Sequence, residues 1–230
     1  MIKKIFSKFK TNIKVKGKNN KIILTSEHGE KEIHSVHGFK ISITGNNNTI
    51  KIPKDYNIHG RINITTDNCI FDIRSSNYIH FTVDTYDQGG QKLFIGSNTK
   101  IHGAHLFLND KDAKVIIGEN CLFSGNIVMW ATDGHSVIDK DSGKILNPIQ
   151  APITIEDNCW IGWGAILTKN THISSNSVVG AGSVVTKNFN ESNVVIAGNP
   201  ATVKKTGICW DSRTVSMLKN KIKGELINAI

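Results

Sequence analysis

No run of 18 consecutive apolar residues occurs in this 230-residue chain, so no segment is built to cross a membrane as a helix. The start also lacks the uninterrupted apolar core of a secretory signal, because lysines recur through it. Cysteine is sparse. Cys69, Cys121, Cys159 and Cys209 stand far apart, with no CxxC and no Cys/His pair at zinc spacing, which reads as buried, reduced thiols in a cytoplasmic protein. Acids are missing from residues 1–21, which hold eight lysines. Against a net charge of +9, that leaves the remainder nearly neutral. Aromatic residues make up 7% of the chain and are not interleaved with the basic segment, so base stacking on nucleic acid is not expected.

Within that segment, Ile2, Ile5, Phe6, Phe9 and Ile13 fall at roughly helical spacing, with Lys3, Lys4, Lys8 and Lys10 largely opposite. The pattern predicts a basic amphipathic helix over residues 1–21. Two uses stay open: contact with a membrane surface or anionic polymer, or docking over one end of the main fold.

From residue 155 the chain divides into hexads: IEDNCW, IGWGAI, LTKNTH, ISSNSV, VGAGSV and VTKNFN. The first place is aliphatic throughout (Ile155, Ile161, Leu167, Ile173, Val179, Val185). The fifth is small (Cys159, Ala165, Thr171, Ser177, Ser183) until Phe189. Six is the wrong period for a helix and too long for simple strand alternation. It suits an all-β solenoid in which each hexad gives one short strand and one corner, with three hexads to a turn. The aliphatic residue then points inward and stacks on its equivalents, while the fifth sits inside a corner. Ile117, Phe123 and Met129, and likewise Ile95, Ile101 and Phe107, continue the spacing upstream. Residues 22–90 read as strand-rich coils of unfixed register that hold an acceptor-specific surface. The hexad core spans 91–202 with a departing loop at 131–152, and residues 203–230 contain good helix formers and predict a terminal helix.

The stretch "ITIEDNCWIGWGAILTKNTHISSNSVVGAGSVVTKN", the later "VVIAGNPATVKK" and an upstream "DGHS" resemble the hexapeptide-repeat acyltransferases, in particular the branch of galactoside acetyltransferase and bacterial polysaccharide O-acetyltransferases. The resemblance covers residues 115–205. It implies a left-handed parallel β-helix, a homotrimer, and acetyl-CoA bound between subunits without a metal. The acetyl group would pass to a sugar or polysaccharide hydroxyl, with the enzyme in the cytoplasm or at the inner face of the membrane.

By the same resemblance, His135 in "TDGHS" is the general base. A sugar hydroxyl is a poor nucleophile near neutral pH, so the chemistry needs such a group, and the alternative is a loop histidine that hydrogen-bonds the backbone. Trp160 would shape the acceptor and acetyl pocket or pack between subunits. Trp163 stands where a backbone N–H faces the oxyanion of the tetrahedral intermediate, although the family often has a small residue there. Gly162, Gly180, Ala181 and Gly182 would admit the pantetheine arm. Thr186, Lys187 and Lys205 would face its nucleotide end, or Lys187 is a solvated corner lysine. Three rivals remain open: an N-acetyltransferase for an amino-sugar nucleotide, a metal-dependent β-helix lyase using His102 and His105, and a non-catalytic glycan-binding solenoid.

Overall fold

The computed structural model describes residues 12–219. Among these, 21 strands form a thirteen-stranded and an eight-stranded sheet, and the one helix is Val215–Lys219. Nearly every strand pair is parallel. In the hexad region Thr154 pairs with His172, Trp160 with Val178 and Ile166 with Val184, each time a step of three whole hexads. One circuit therefore returns the chain to its starting face.

Burial follows the predicted slots. Ile155, Ile161, Leu167, Ile173, Val179 and Val185 are fully buried, as are Cys159, Ala165, Thr171, Ser177 and Ser183. Aliphatic residues in the first slot contribute continuous apolar area to one core running the length of the stack. The thiol of Cys159 is held well above the ordinary range by its neighbour Cys121 and by burial, which suits packing and not attack.

Upstream, the step lengthens. Ile41 pairs with Ile62 and Ile50 with Phe71, half a hexad more than the regular circuit. Leu93 pairs with Val115 and Ile101 with Phe123, one place further still. Here Asn57–Ile64, Tyr78–Thr85 and Lys100–Leu108 run through a corner that hexads would turn. Lys100–Leu108 accordingly pairs with both Leu122–Phe123 and Ile127–Trp130. One step is far longer: between the paired Val128 and Ile166 the chain has enough residues for slightly more than two circuits. The surplus is the predicted loop.

Three corner columns separate the faces. One carries left-handed asparagines, Asn98 (φ 61°), Asn120 (56°), Asn158 (54°) and Asn176 (60°), a conformation that asparagine tolerates because its short amide hydrogen-bonds locally. Their side chains join successive circuits, with Asn158 Nδ2 donating to Asn176 Oδ1 at 2.7 Å. The second is pared to glycine, with Gly103, Gly125, Gly164 and Gly182. The third follows Trp130, Thr168 and Val185 and carries the loop and Lys169–Asn170.

Each end of the stack carries one antiparallel hairpin, and the larger sheet begins on the parallel strand Ile13–Lys16. Gly29–Glu32 folds back on Lys21–Ser26, and Ala201–Lys205 on Val195–Gly198. This corrects the boundary of the expected helical tail: residues 201–205 are strand, because they pair with the otherwise open edge of Val195–Gly198. Only Val215–Lys219 of the tail is helical here, and residues 220–230 lie outside the described residues. At the start, the expected helix over 1–21 is corrected where it is described. Ile13–Lys16 is a strand whose Ile13 and Val15 align with the inward Ile41 and Ile43, so β-branched residues join the ladder. The rest of that expectation, residues 1–11, lies outside the described residues.

Two substitutions separate the slots. Leu167→Ala should lower unfolding free energy by about 2–5 kcal/mol through a cavity. Ala165→Leu should lower it by about 1–3 kcal/mol through overpacking of a corner. Urea unfolding of both variants checks the pair; if Ala165→Leu is neutral, the corner slot is not closed.

Candidate active site

The loop that carries His135 is a small hairpin on a locked base. Ile138 bridges Ile145 antiparallel, and the amide of Leu146 donates to Val137 O at 2.8 Å. Val137, Ile138, Ile145 and Leu146 are each at least half exposed, which leaves an apolar patch at the stem of the arm below a charged tip, Asp139–Lys144. At its base, Thr132 is buried, donates to Asp110 and accepts from the amide of Gly134 at 2.8 Å. Asn147 Nδ2 donates to Asp133 Oδ2 (2.6 Å) and to the carbonyl of His135 (2.9 Å). Lys169, whose side chain is 11% exposed, bridges Asp133 Oδ2 at 2.7 Å and the carbonyl of Asn147. The main chain on both sides of His135 is thus fixed, while its exposed imidazole has no hydrogen-bond partner among the described residues. A pocket of about 500 Å³ opens beside it, walled by Asp110, Lys111, Asp133, Ser136 and Pro148.

A second group gathers at the glycine corner. The Trp163 ring, 63% exposed, lies over Gly125, where a Cβ would come within 2.3 Å of it. The carbonyl of Trp163 accepts from Gly182 N at 2.8 Å. Gly162 is packed so tightly on the next circuit that a Cβ there would come 2.6 Å from the amide of Ala181. Among the described residues, the N–H groups of Trp163 and Ala181 have no acceptor, so two main-chain donors stand free at one corner. Trp160 lies on the adjoining outer face, its Nε1 donating to Ser124 Oγ at 3.3 Å and its ring 6.1 Å from Trp210.

The structure brings together Gly162, Trp163, Gly180, Ala181 and Gly182, with Trp160 near them. It does not bring His135 to them within one chain. The loop base sits on Lys169, and Thr186 and Lys187 follow Val185, which pairs with Leu167, so these share the third corner. From Trp163 to Thr168 the chain runs five residues, roughly 16 Å of extended strand. Lys187 lies over the Phe189 ring at 5.6 Å, and Lys205 is exposed on the terminal hairpin, level with Val195. His102 and His105 turn to different partners: His102 stacks on Tyr78 at 5.6 Å, and His105 Nε2 meets Asp84 Oδ2 at 2.7 Å. His172 joins a network, with Glu156 at 2.8 Å and Asn190 at 3.0 Å.

Sequence reasoning passed over Lys169, Asp133 and Asn147, whose roles rest on contacts between distant parts of the chain with no motif to mark them. It also passed over Gly125, although its hexad place next to an asparagine was a usable signal.

Burial raises the affinity of Asp133 for a proton, but the hydrogen bonds from Lys169 and Asn147 outweigh it and hold the carboxyl below its ordinary value. A depressed carboxylate contributes fully above its unfolded value of about 3.9 and loses that contribution as pH falls through the lowered folded value. The loop base should therefore stay locked from neutral pH down to about pH 4 and loosen below it. Lys169→Ala should loosen it at neutral pH, costing about 1–2 kcal/mol. Amide exchange over residues 132–148 checks this; unchanged protection in the variant would show that Lys169 is not the lock.

Comparison with known proteins agrees with this geometry. Residues 152–187 match the family model described as the hexapeptide repeat of succinyl-transferase. Among curated proteins, the chain is similar to the polysialic acid O-acetyltransferase of Escherichia coli O1:K1 / APEC, 32% identical over 121 residues. That match covers 53% of this chain and 38% of the relative, so the chain spans well under half of that protein's length. Among solved structures it is similar to the polySia-specific acetyltransferase NeuO, with a TM-score of 0.62 and 26% identity over 94% of this chain and 91% of that one. It shares its fold with the polysialic acid O-acetyltransferase OatWY, with a TM-score of 0.68 and 23% identity over 91% and 96% of the two chains. Residues 152–187 are thus hexapeptide repeats of the succinyl-transferase kind, set in a chain with the fold of two polysialic acid acetyltransferases.

Proposed function

We propose that this protein is an O-acetyltransferase that moves acetyl from acetyl-CoA to a hydroxyl of a bacterial surface polysaccharide or its precursor, on a left-handed parallel β-helix. The observation that carries the reading is the glycine corner: two free main-chain donors, at Trp163 and Ala181, with Gly162, Gly180 and Gly182 beside them. Such a corner admits a narrow arm and offers hydrogen bonds to carbonyl oxygens, which is what a pantetheine thioester needs.

The reaction is direct. The acceptor hydroxyl oxygen attacks the thioester carbonyl carbon while the imidazole of His135 takes its proton. The carbonyl oxygen, now negative, accepts the N–H of Trp163, a contact worth about 10²–10³-fold in comparable sites. The C–S bond then breaks, and the leaving thiolate of CoA takes the proton from the imidazolium. Gly162, Gly180, Ala181 and Gly182 hold the pantetheine arm. Thr186, Lys187 and Lys205 meet the nucleotide end, where an ammonium pairs with phosphate. Trp160 forms the wall on the acceptor side.

The reaction joins groups from different corners, so we place the site between copies of the chain in a homotrimer. The apolar stem of the 137–146 hairpin supports that assembly, since four exposed aliphatic residues there call for a covering surface. Location in the cytoplasm, with the lysine-rich residues 1–21 touching the inner membrane face or an anionic polymer, belongs to the same proposal.

His135→Ala should lower the turnover of acceptor-dependent CoA release by about 10²–10⁴-fold. Trp163→Ala should leave it largely intact, since the main-chain donor persists. Release measured over a panel of sugars, amino-sugar nucleotides and polysaccharides tests the rest. Turnover that survives His135→Ala would remove that residue from the mechanism, and transfer confined to amino groups would make the enzyme an N-acetyltransferase.

A further inference from the structure

In the proposed transfer Trp163 contributes its main-chain N–H, and its side chain has no task. Although 63% exposed, that side chain has a fixed neighbour. A Cβ at Gly125 would lie 2.3–2.8 Å from three carbons of the ring, so glycine at 125 is what lets the indole rest against the main chain. Trp160, in the same circuit, leans the same way, its Nε1 donating to Ser124 Oγ at 3.3 Å. Two indoles of one circuit therefore cover two consecutive residues of the next.

The direction of that lean decides what the ring can do. Gly125 belongs to the circuit before that of Trp163: Phe123 pairs with Ile161, and Gly164 N donates to Gly125 O at 3.0 Å. Ala181 and Gly182 belong to the circuit after it, since Ile161 pairs with Val179. Lys205 lies further in the same sense, level with Val195, which pairs with Val178. A pantetheine arm entering from the nucleotide end thus passes Ala181, reaches the N–H of Trp163 and then meets the indole. Beyond the ring the corner is bare again. Gly103 lies against Gly125, with a Cβ there 3.4 Å from Gly125 Cα. The amide of Gly125 has no acceptor among the described residues, so the run of open donors at Ala181 and Trp163 continues under the ring.

We infer that the Trp163 side chain is the stop that sets the length of the transferred acyl group and holds it to acetyl. The inference rests on the acetyltransferase reading, which puts the thioester carbonyl at the N–H of the same residue. Acetyl ends one methyl past that carbonyl and fits before the ring. Each further methylene runs into the indole, because the next circuit is only about 4.8 Å away. With the ring removed, Gly125 and Gly103 leave a corner clear of side chains for two strand spacings, roughly 9–10 Å. The reaction itself is unaltered: the same C–O bond forms and the same C–S bond breaks, and only the acyl group differs.

Kinetics of the full-length protein with acetyl-, propionyl-, butyryl- and hexanoyl-CoA test this, using the sugar acceptor that best supports acetyl transfer. The readout is the ratio of kcat/KM for butyryl-CoA to that for acetyl-CoA, in which a general loss of activity cancels. The wild type should favour acetyl-CoA at least about tenfold. Trp163→Ala should raise the ratio about tenfold or more, and Trp163→Phe, with a smaller ring, should fall between the two. A ratio that Trp163→Ala leaves unchanged overturns the stop while the transfer stands, and so does a wild type that uses both thioesters alike. Calorimetric binding of the same thioesters needs no acceptor and gives a second readout. Affinities graded by chain length in the same order, without transfer, would remove the reaction and keep the stop. Binding of none of them would overturn both. A change of oligomeric state in either variant would also sink the stop, by making the indole a contact between copies.

Discussion

Everything in this molecule depends on one aliphatic side chain lying directly over another, circuit after circuit. Ile155 sits between Ile117 and Ile173, and each is sealed from water. Because the backbone ladder is parallel, a strand cannot slip along its neighbour without turning its buried set toward solvent. That fixes the vertical position of every outward residue as firmly as that of the core. Chemistry on the outside inherits its spacing from packing on the inside.

The corners then divide the labour. The asparagine column secures circuits to one another with side-chain amides, and the glycine column gives up side chains so that main-chain donors stand in the open. The third column lets the chain leave and return. Its excursion costs the ladder nothing, since Trp130 and Thr168 pair across it as if the extra residues were absent. His135 is thereby placed on a support that is hydrogen-bonded at the base and leaves its ring exposed.

Legibility in the sequence tracked the length of the circuit. Where the circuit is three whole hexads, from Ile155 onward, the hexad itself named the inward and corner residues, and their burial follows that reading. Where strands such as Tyr78–Thr85 run through a corner, each circuit gains three or four places and no six-residue count stays in phase. The strand at Ile13–Lys16 was read as helix because five apolar residues at helical spacing look alike until a neighbouring edge is known. The candidate site divided along the same boundary. Trp163 and Ala181 were named through the family resemblance, whereas the lock of Lys169 on Asp133 joins residues whose proximity is created by the winding.

The two terminal hairpins bear on a different hazard. A stack of parallel strands with open ends is a template that any like strand can extend, and the same ladder repeated between molecules is a fibril. Here the smaller sheet ends at one side on Gly29–Glu32, all of it exposed and with charges at three of four places, and the larger sheet at the other on Ala201–Lys205, which ends on two lysines. Each runs against the direction of the strand it covers. A further copy would meet a reversed, charged strand at those two edges, while the parallel edge Ile13–Lys16 carries a lysine at every second place instead.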